Sequence, residues 1–364
     1  MENCKTIKLL TAGPVTLRRE VSEALAEPVI AHRGPKFESL LMGIEAKLKK
    51  AFDTKDGFVA LMTGSGALAV ESMVFSMLDP GERVLYVCHG EFGNRMLDSM
   101  NIRGAQVKTF SEKNGRSVKE ETVAAELESG KYDTLAMAYT ETSVGLAYRY
   151  AERLAARAKD RGMRVIVDAV AAMFGEHISL DRSNFDAIAS CSQKCVAAPA
   201  GMSFVGLNSE AEARIHSTKQ KPRYLNLGMY KDAMDRRRGV PNTPAVNTMY
   251  ALDKALSVML DAGMDDWIEQ HRRRAGILYE KMPRIGYTPI VENEDCRSNS
   301  VTAFRIPDRL TPAQVMAAAN EGGFDISSGL GELSASVIRI GTMGDVSESD
   351  MNAVVDALSQ ASGQ

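Results

Sequence analysis

Long apolar runs are missing from this chain: no stretch reaches the about 18 consecutive apolar residues that a membrane-spanning helix needs. The opening Met1-Glu2-Asn3-Cys4-Lys5 also lacks the apolar core of a secretory leader. A soluble cytoplasmic protein without a membrane partner is expected. An excess of one charge is missing too, since 44 basic residues face 47 acidic ones and leave a formal net charge of -3. That balance gives no bulk attraction for nucleic acid or an anionic surface. Cysteine is scarce. The five cysteines, Cys4, Cys88, Cys191, Cys195 and Cys296, form no regular framework and pair with no nearby histidines, so neither a disulfide scaffold nor a metal site is expected. An odd number in a long chain suits a reducing compartment. There is no internal repeat and no low-complexity tract.

What is present is a rhythm of apolar strands and helices. A chain of 364 residues suits one large domain and a smaller one. The divisions expected are an N-terminal segment 1–15, a large domain 16–250 and a C-terminal domain 251–364. Apolar runs at 58–62, 83–88, 134–139, 164–167, 185–189 and 203–207 read as strands. Helical spacing separates them at 38–52, 67–78 and 150–161. Such alternation predicts a largely parallel sheet covered on both faces. A long helix at 246–260 leads to the smaller domain, with helices at 267–282, 312–320 and 348–358 and strands at 300–306 and 336–340.

In a parallel sheet the ligand crevice lies beyond the carboxyl ends of the strands. Ser65, Phe92, Thr142, Asp168 and Lys194 all fall at or just past those ends. Lys194, in Ser190-Cys191-Ser192-Gln193-Lys194-Cys195, reads in isolation as a solvated loop lysine. Held in a desolvated pocket, its amine would lose its proton readily and could form a Schiff base with a carbonyl compound such as pyridoxal phosphate. Asp168 closes the apolar run Val165-Ile166-Val167, where a carboxylate is costly unless something cationic or hydrogen-bonded meets it. A pyridinium nitrogen would serve; so would a turn cap. Thr63-Gly64-Ser65-Gly66 stands between a strand and the helix opening at Ala67, an arrangement that cradles phosphate or merely turns the chain. Phe92 could stack on a ring or belong to the core. His32 and Arg33 precede Gly34-Pro35 and suit an anion or a surface loop, and Arg339 at a strand end suits a carboxylate or an exposed ion pair.

Taken in order, the motifs T-A-G-P-V at 11, H-R-G-P-K-F at 32, T-G-S-G-A at 63, H-G-E-F-G-N-R at 89, E-T-S-V-G at 141, D-A-V at 168, S-Q-K at 192, N-T-P at 242 and R-I-G-T-M-G at 339 make the chain resemble the class V aminotransferases. The likeness runs from Leu9 to Met343. It implies the type I fold of pyridoxal-phosphate-dependent transferases, an α/β architecture with a mainly parallel sheet and a smaller α+β C-terminal domain. It implies that Lys194 binds the cofactor covalently and then moves a proton between the substrate Cα and the cofactor C4′. Asp168 would pair with the pyridine nitrogen, Phe92 would stack on the ring, and Thr142 would bond its O3′. Ser65 and Gly66, with Gln193, would hold the phosphate, joined by Thr243 from the second subunit of a homodimer, and Ala67 would also meet the cofactor. Gly13, His32, Arg33 and Arg339 would meet the substrate, Arg339 through its α-carboxylate. Two positions depart from the family pattern: Phe92 stands where Trp or Tyr is common, and Ala67 where a larger polar residue is common. The implied reaction moves an amino group from alanine or serine to glyoxylate or pyruvate. A 2-aminoethylphosphonate–pyruvate transaminase is the first alternative. A cysteine desulfurase or lyase of the same fold is the more distant one, with Cys296 as its thiol.

Overall fold

The computed structural model describes residues 7–113 and 115–362; the first part of the expected N-terminal segment, residues 1–6 with Cys4, lies outside them. The apolar runs form a seven-stranded sheet from β1 (Phe58–Thr63), β2 (Arg83–Val87), β3 (Gln106–Phe110), β4 (Thr134–Ala138), β5 (Arg164–Asp168), β6 (Ala187–Cys191) and β7 (Met202–Leu207). Their order is β1-β7-β6-β5-β4-β2-β3. Only β7 runs against its neighbours; the other pairings are parallel.

Strand side chains alternate between the two faces of a sheet. Val59, Leu61, Leu85, Val87, Leu135, Met137, Val165 and Val167 therefore enter one apolar cluster. Phe58, Ala60, Met62, Val84, Tyr86, Ala136 and Ile166 enter the other. Helix α1 (Pro35–Ala51) closes the first face with Leu41, Ile44 and Leu48. Helix α2 (Gly66–Met77) closes the second with Met73, Val74 and Met77, and helix α3 (Gly90–Arg103) adds Met96 and Met100. Each large apolar side chain buried this way contributes about 1.5–3 kcal/mol, so the strand ends rest on a rigid base.

The long helix α4 (Val246–Ala262) packs into the first cluster through Met249, Leu252, Leu256 and Met259. The division expected between residues 250 and 251 falls inside it. Helix α5 (Met264–Lys281) leads to an antiparallel sheet of β8 (Thr288–Pro289), β9 (Val301–Arg305), β10 (Ser327–Ser328) and β11 (Val337–Gly341), in the order β8-β9-β11-β10. Leu278, Val315, Val354 and Leu358 cover this sheet from α5, α6 (Pro312–Glu321) and α7 (Glu348–Ser362). The N-terminal segment belongs to it as well. Lys8–Leu9 pairs with Phe324–Asp325, and the Gly341 N–H donates to the Leu10 carbonyl at 2.6 Å. Buried Glu176 joins the two sheets, accepting from Arg149 at 3.2 Å and from the Asn299 N–H at 2.9 Å.

Two expectations shift. The strand read at 185–189 begins at Ala187, because Asp186 turns its carboxylate to the Val165 N–H at 2.6 Å and to Lys159 at 2.8 Å. It runs on through Ser190 and Cys191, two residues past the expected end. Edge strand β3 has no counterpart among the expected strands, since its residues, Gln106 and Lys108 among them, are half-buried or exposed.

Candidate active site

The strand ends deliver the expected side chains to one place. Ser65, Gly66, Ala67, Phe92, Thr142, Asp168, Gln193 and Lys194 line a cavity of about 600 Å³, which Gly13 and Arg339 reach from the N-terminal segment and from β11. His32, Arg33 and Thr243 do not line it. His32 is half-buried and Arg33 exposed in the bend before α1, and Thr243 is exposed beside a separate small recess with Thr63 and Tyr224.

Lys194 follows β6 in a turn that its own backbone closes. The Ala197 N–H donates to the Lys194 carbonyl at 2.9 Å, with Ala197 in the left-handed region at φ 59°. Ser192 Oγ donates to the Pro199 carbonyl at 2.5 Å and accepts from the Met202 N–H at 3.2 Å. From below, the only tryptophan, Trp267 of α5, donates its Nε1–H to the Cys195 carbonyl at 2.9 Å. From above, Gly13 presses on the lysine at φ 95°: a Cβ there would lie 2.7 Å from the Gln193 carbonyl oxygen and 2.9 Å from Lys194 Cδ. The amine donates to the Ala12 carbonyl and stands 5.9 Å from the centre of the Phe92 ring.

Burial lowers the Lys194 pKa, the Arg339 cation acts in the same direction, and Asp168 opposes them more weakly. A neutral amine able to attack a carbonyl is favoured in this way. The thiols of Cys191 and Cys195 are inert by the same cause; burial pushes Cys191 up to about 12 and Cys195 higher still. Asp168 ends β5, and its accessible edge faces the cavity. Burial raises its pKa to about 6, against the Val170 N–H donated at 2.9 Å and the Lys194 charge. A cationic ring nitrogen would relieve that cost.

At the other end of the floor, Ser65 occupies the cap position of α2 without bonding its side chain to the helix. Its hydroxyl and the helix N-terminus are thus available to an anion. Gly66 makes this approach possible, because a Cβ there would meet Val170 at 3.0 Å and Cys191 Sγ at 3.2 Å. The Gln193 Oε1 is buried and makes no hydrogen bond among the described residues, so the amide can turn its NH₂ toward a bound acceptor. An amine for a carbonyl, an acid for a ring nitrogen, a ring face and an anion cradle together fit pyridoxal phosphate.

Arg339 closes the opposite wall. It is buried, donates Nε–H to the Ser328 carbonyl at 2.9 Å and Nη1–H to the Thr142 carbonyl at 3.3 Å, and no carboxylate of the described residues is paired with it. Burial lowers its pKa and the charge of Glu141 raises it. A desolvated guanidinium held only by carbonyls is poised for an incoming carboxylate.

The family model described as Aminotransferase class-V matches residues 21–352. The chain belongs to the class-V aminotransferases. It is 29% identical to an uncharacterised aminotransferase of Methanocaldococcus jannaschii over 95% of this chain and 90% of that one. Among solved structures, an aspartate aminotransferase of subgroup IV from Thermus thermophilus superposes with a TM-score of 0.90 at 29% identity, covering 98% of this chain and 99% of that one. An alanine–glyoxylate aminotransferase from Nostoc sp. superposes with a TM-score of 0.92 at 28% identity, covering 99% and 97%. The class-V chain is thus a pyridoxal-phosphate-dependent transaminase of the type I fold. No helix among its described residues is long and apolar enough to cross a membrane.

Three parts of this class-V site escape the sequence reading. Trp267 supports the lysine turn, Glu141 lies behind the wall beneath Phe92, and Arg95 lines the cavity with its guanidinium 4.8 Å from the Phe92 ring centre. A buried tryptophan must find an acceptor for its N–H, which is the one signal that could have marked the first.

Proposed function

We propose that this transaminase moves an amino group from a small amino acid of the alanine or serine type to glyoxylate or pyruvate. The observation that carries the reading is the pairing of a buried lysine amine with a buried, carboxylate-free arginine across one cavity. Pyridoxal phosphate, when bound, supplies a carbonyl for amine exchange and a ring that accepts electrons. Asp168 would hold the proton on the ring nitrogen, Ser65 and Gly66 with Gln193 would bind the phosphate beside Ala67, Thr142 would orient the ring oxygen and Phe92 would cover one face. Arg339 orients the substrate by its α-carboxylate. The Lys194 amine would take up the proton released at the substrate Cα and deliver it to the cofactor C4′. The similarity to the Nostoc alanine–glyoxylate aminotransferase supports the substrate class.

The working form is a cytoplasmic homodimer. Thr243, His32 and Arg33 line no part of their own chain's cavity, which supports their serving the partner's. The buried thiols of Cys88, Cys191, Cys195 and Cys296 are free, in keeping with a reducing compartment. Arg95, exposed at the cavity wall and salt-bridged to no described residue, favours a second reading with an anionic distal group, as in 2-aminoethylphosphonate. The desulfurase alternative loses support: Cys296 is buried in the first apolar cluster and does not line the cavity.

The test is conversion of the cofactor's visible absorption band by a panel of amino donors. Alanine or serine converts it in the wild-type enzyme, Lys194→Ala cannot turn over, and Cys296→Ser behaves as wild type. Conversion by 2-aminoethylphosphonate alone favours the second reading, and conversion by none of the panel refutes both.

A further inference from the structure

Glu141 takes no part in the roles above, yet it is fully buried directly before Thr142. Its Oε2 accepts the N–H groups of Phe92 at 3.1 Å and Gly93 at 3.0 Å, and its Oε1 accepts that of Ser143 at 2.8 Å. The first two belong to the opening turn of α3, and the Phe92 N–H is among those that precede the first helical bond and have no partner of their own. Gly90, at φ 62°, makes room for this contact. A Cβ there would lie 2.8 Å from Glu141 Cγ and Cδ and would overlap Ser143 Oγ. One carboxylate therefore clamps two segments about 50 residues apart in sequence. The clamped segments carry the Phe92 ring and the Thr142 carbonyl on which Arg339 rests. Burial lowers the Arg339 pKa and the nearby Glu141 carboxylate opposes that shift, while burial raises the pKa of Glu141 itself against the hydrogen bonds from Ser143 and Gly93.

We propose that Glu141 is a positioning residue for carboxylate substrates, fixing the Phe92 turn and the Thr142 carbonyl to one another and so keeping Arg339, which rests on that carbonyl, aimed into the cavity. The inference rests on the reading of Arg339 as the carboxylate grip. Substrate and Glu141 would flank the guanidinium without touching each other, so the effect of Glu141 lies in binding rather than in the proton transfer at Lys194.

The experiment compares wild-type, Glu141→Gln and Arg339→Ala holoenzymes. It measures KM and kcat for the preferred amino donor, the equilibrium Kd of propionate, an unreactive carboxylate, from its shift of the visible band, and the melting temperature. Glu141→Gln keeps the size, loses the charge and turns an NH₂ toward N–H groups. It should raise both KM and the propionate Kd on the order of 10-fold, the scale of one lost charge-assisted interaction, with kcat moving less. A variant that melts earlier but keeps both values reduces Glu141 to a structural role and overturns the proposal. Should Arg339→Ala leave the propionate Kd unchanged, the Arg339 reading itself falls, and the inference with it. If Glu141→Gln does not fold, Glu141→Asp withdraws the carboxylate from the N–H groups while keeping its charge. A raised propionate Kd then supports the clamp, and an unchanged one overturns it.

Discussion

Replacing Asp168 by Asn should make the cofactor-free protein more stable while disabling the enzyme. Asp168 sits at the end of β5 with its pKa raised from 3.8 to about 6, first by burial, against the Val170 N–H and Lys194. Between those values the folded chain keeps a proton that the unfolded chain has lost. Stability from this group is therefore full below the unfolded value and lost as pH rises through the folded one. A shift of roughly two units corresponds to about 3 kcal/mol once both states are ionised, near pH 8, and to about 1.6 kcal/mol near pH 5, where the folded form is still mostly neutral. Asparagine carries no charge to desolvate and retains an oxygen for the Val170 N–H, now accepted at 2.9 Å. Urea unfolding of the two cofactor-free proteins should show Asp168→Asn ahead by about 3 kcal/mol near pH 8, with the difference roughly halved near pH 5. The same variant should lose about 100-fold or more in turnover, because a neutral amide cannot hold the ring-nitrogen proton. Equal stabilities near pH 8, or a difference that grows toward low pH, would refute the account of a desolvated carboxylate waiting for a cation.

Gly13→Ala meets both a left-handed φ of 95° and the Gln193 carbonyl 2.7 Å from the new Cβ, next to Lys194. It should cost about 2 kcal/mol or more in denaturant unfolding and weaken the visible band at limiting cofactor, whereas a variant equal to wild type in both would show that the segment yields freely. Trp267→Phe removes the N–H donated at 2.9 Å and leaves the buried Cys195 carbonyl without it. The expected loss is about 1–3 kcal/mol, with kcat lowered more than KM because the turn carrying Lys194 loosens; a stability loss with unchanged kcat would separate the tryptophan from the lysine.

Much of this arrangement is legible in the sequence because of how parallel sheets are built. Strands buried on both faces read as unbroken apolar runs, so the polar residues that end them stand out, and those are the residues that reach the cavity. The edge strand 106–110 lacks that signal: its residues are only partly buried, and it carries Gln106, Lys108 and Thr109. Helices Ser209–Ser217 and Leu227–Arg237 hide within a charged region, although Asn208 and Asn226 cap them by accepting from the N–H groups of Ala211 and Gly228. Glu141 is harder still. Two of its three partners are backbone N–H groups of residues distant in sequence, and every residue but proline has such a group, so no side-chain pattern announces the contact. Only the glycine at 90, which a Cβ would spoil, leaves a trace of it.

The charges of the cavity divide into two couples, and the division itself explains how one small space can hold a nucleophilic amine and a carboxylate grip together. Asp168 opposes the desolvation of Lys194, and Glu141 opposes that of Arg339. Neither acid is ion-paired with its cation among the described residues. Had Asp168 bridged Lys194 directly, the amine would stay protonated and could not attack a carbonyl. Had Glu141 bridged Arg339, a substrate carboxylate would have to displace it from a buried pair, at the cost of leaving Glu141 uncompensated. By tying Glu141 to three backbone N–H groups instead, the fold keeps the acid close enough to favour the cation and too committed to occupy it. The same logic holds at the floor, where the Val170 N–H engages Asp168 and the Ala12 carbonyl engages the lysine. Each reactive group is held by a backbone partner of modest strength, and each can therefore be handed to a ligand.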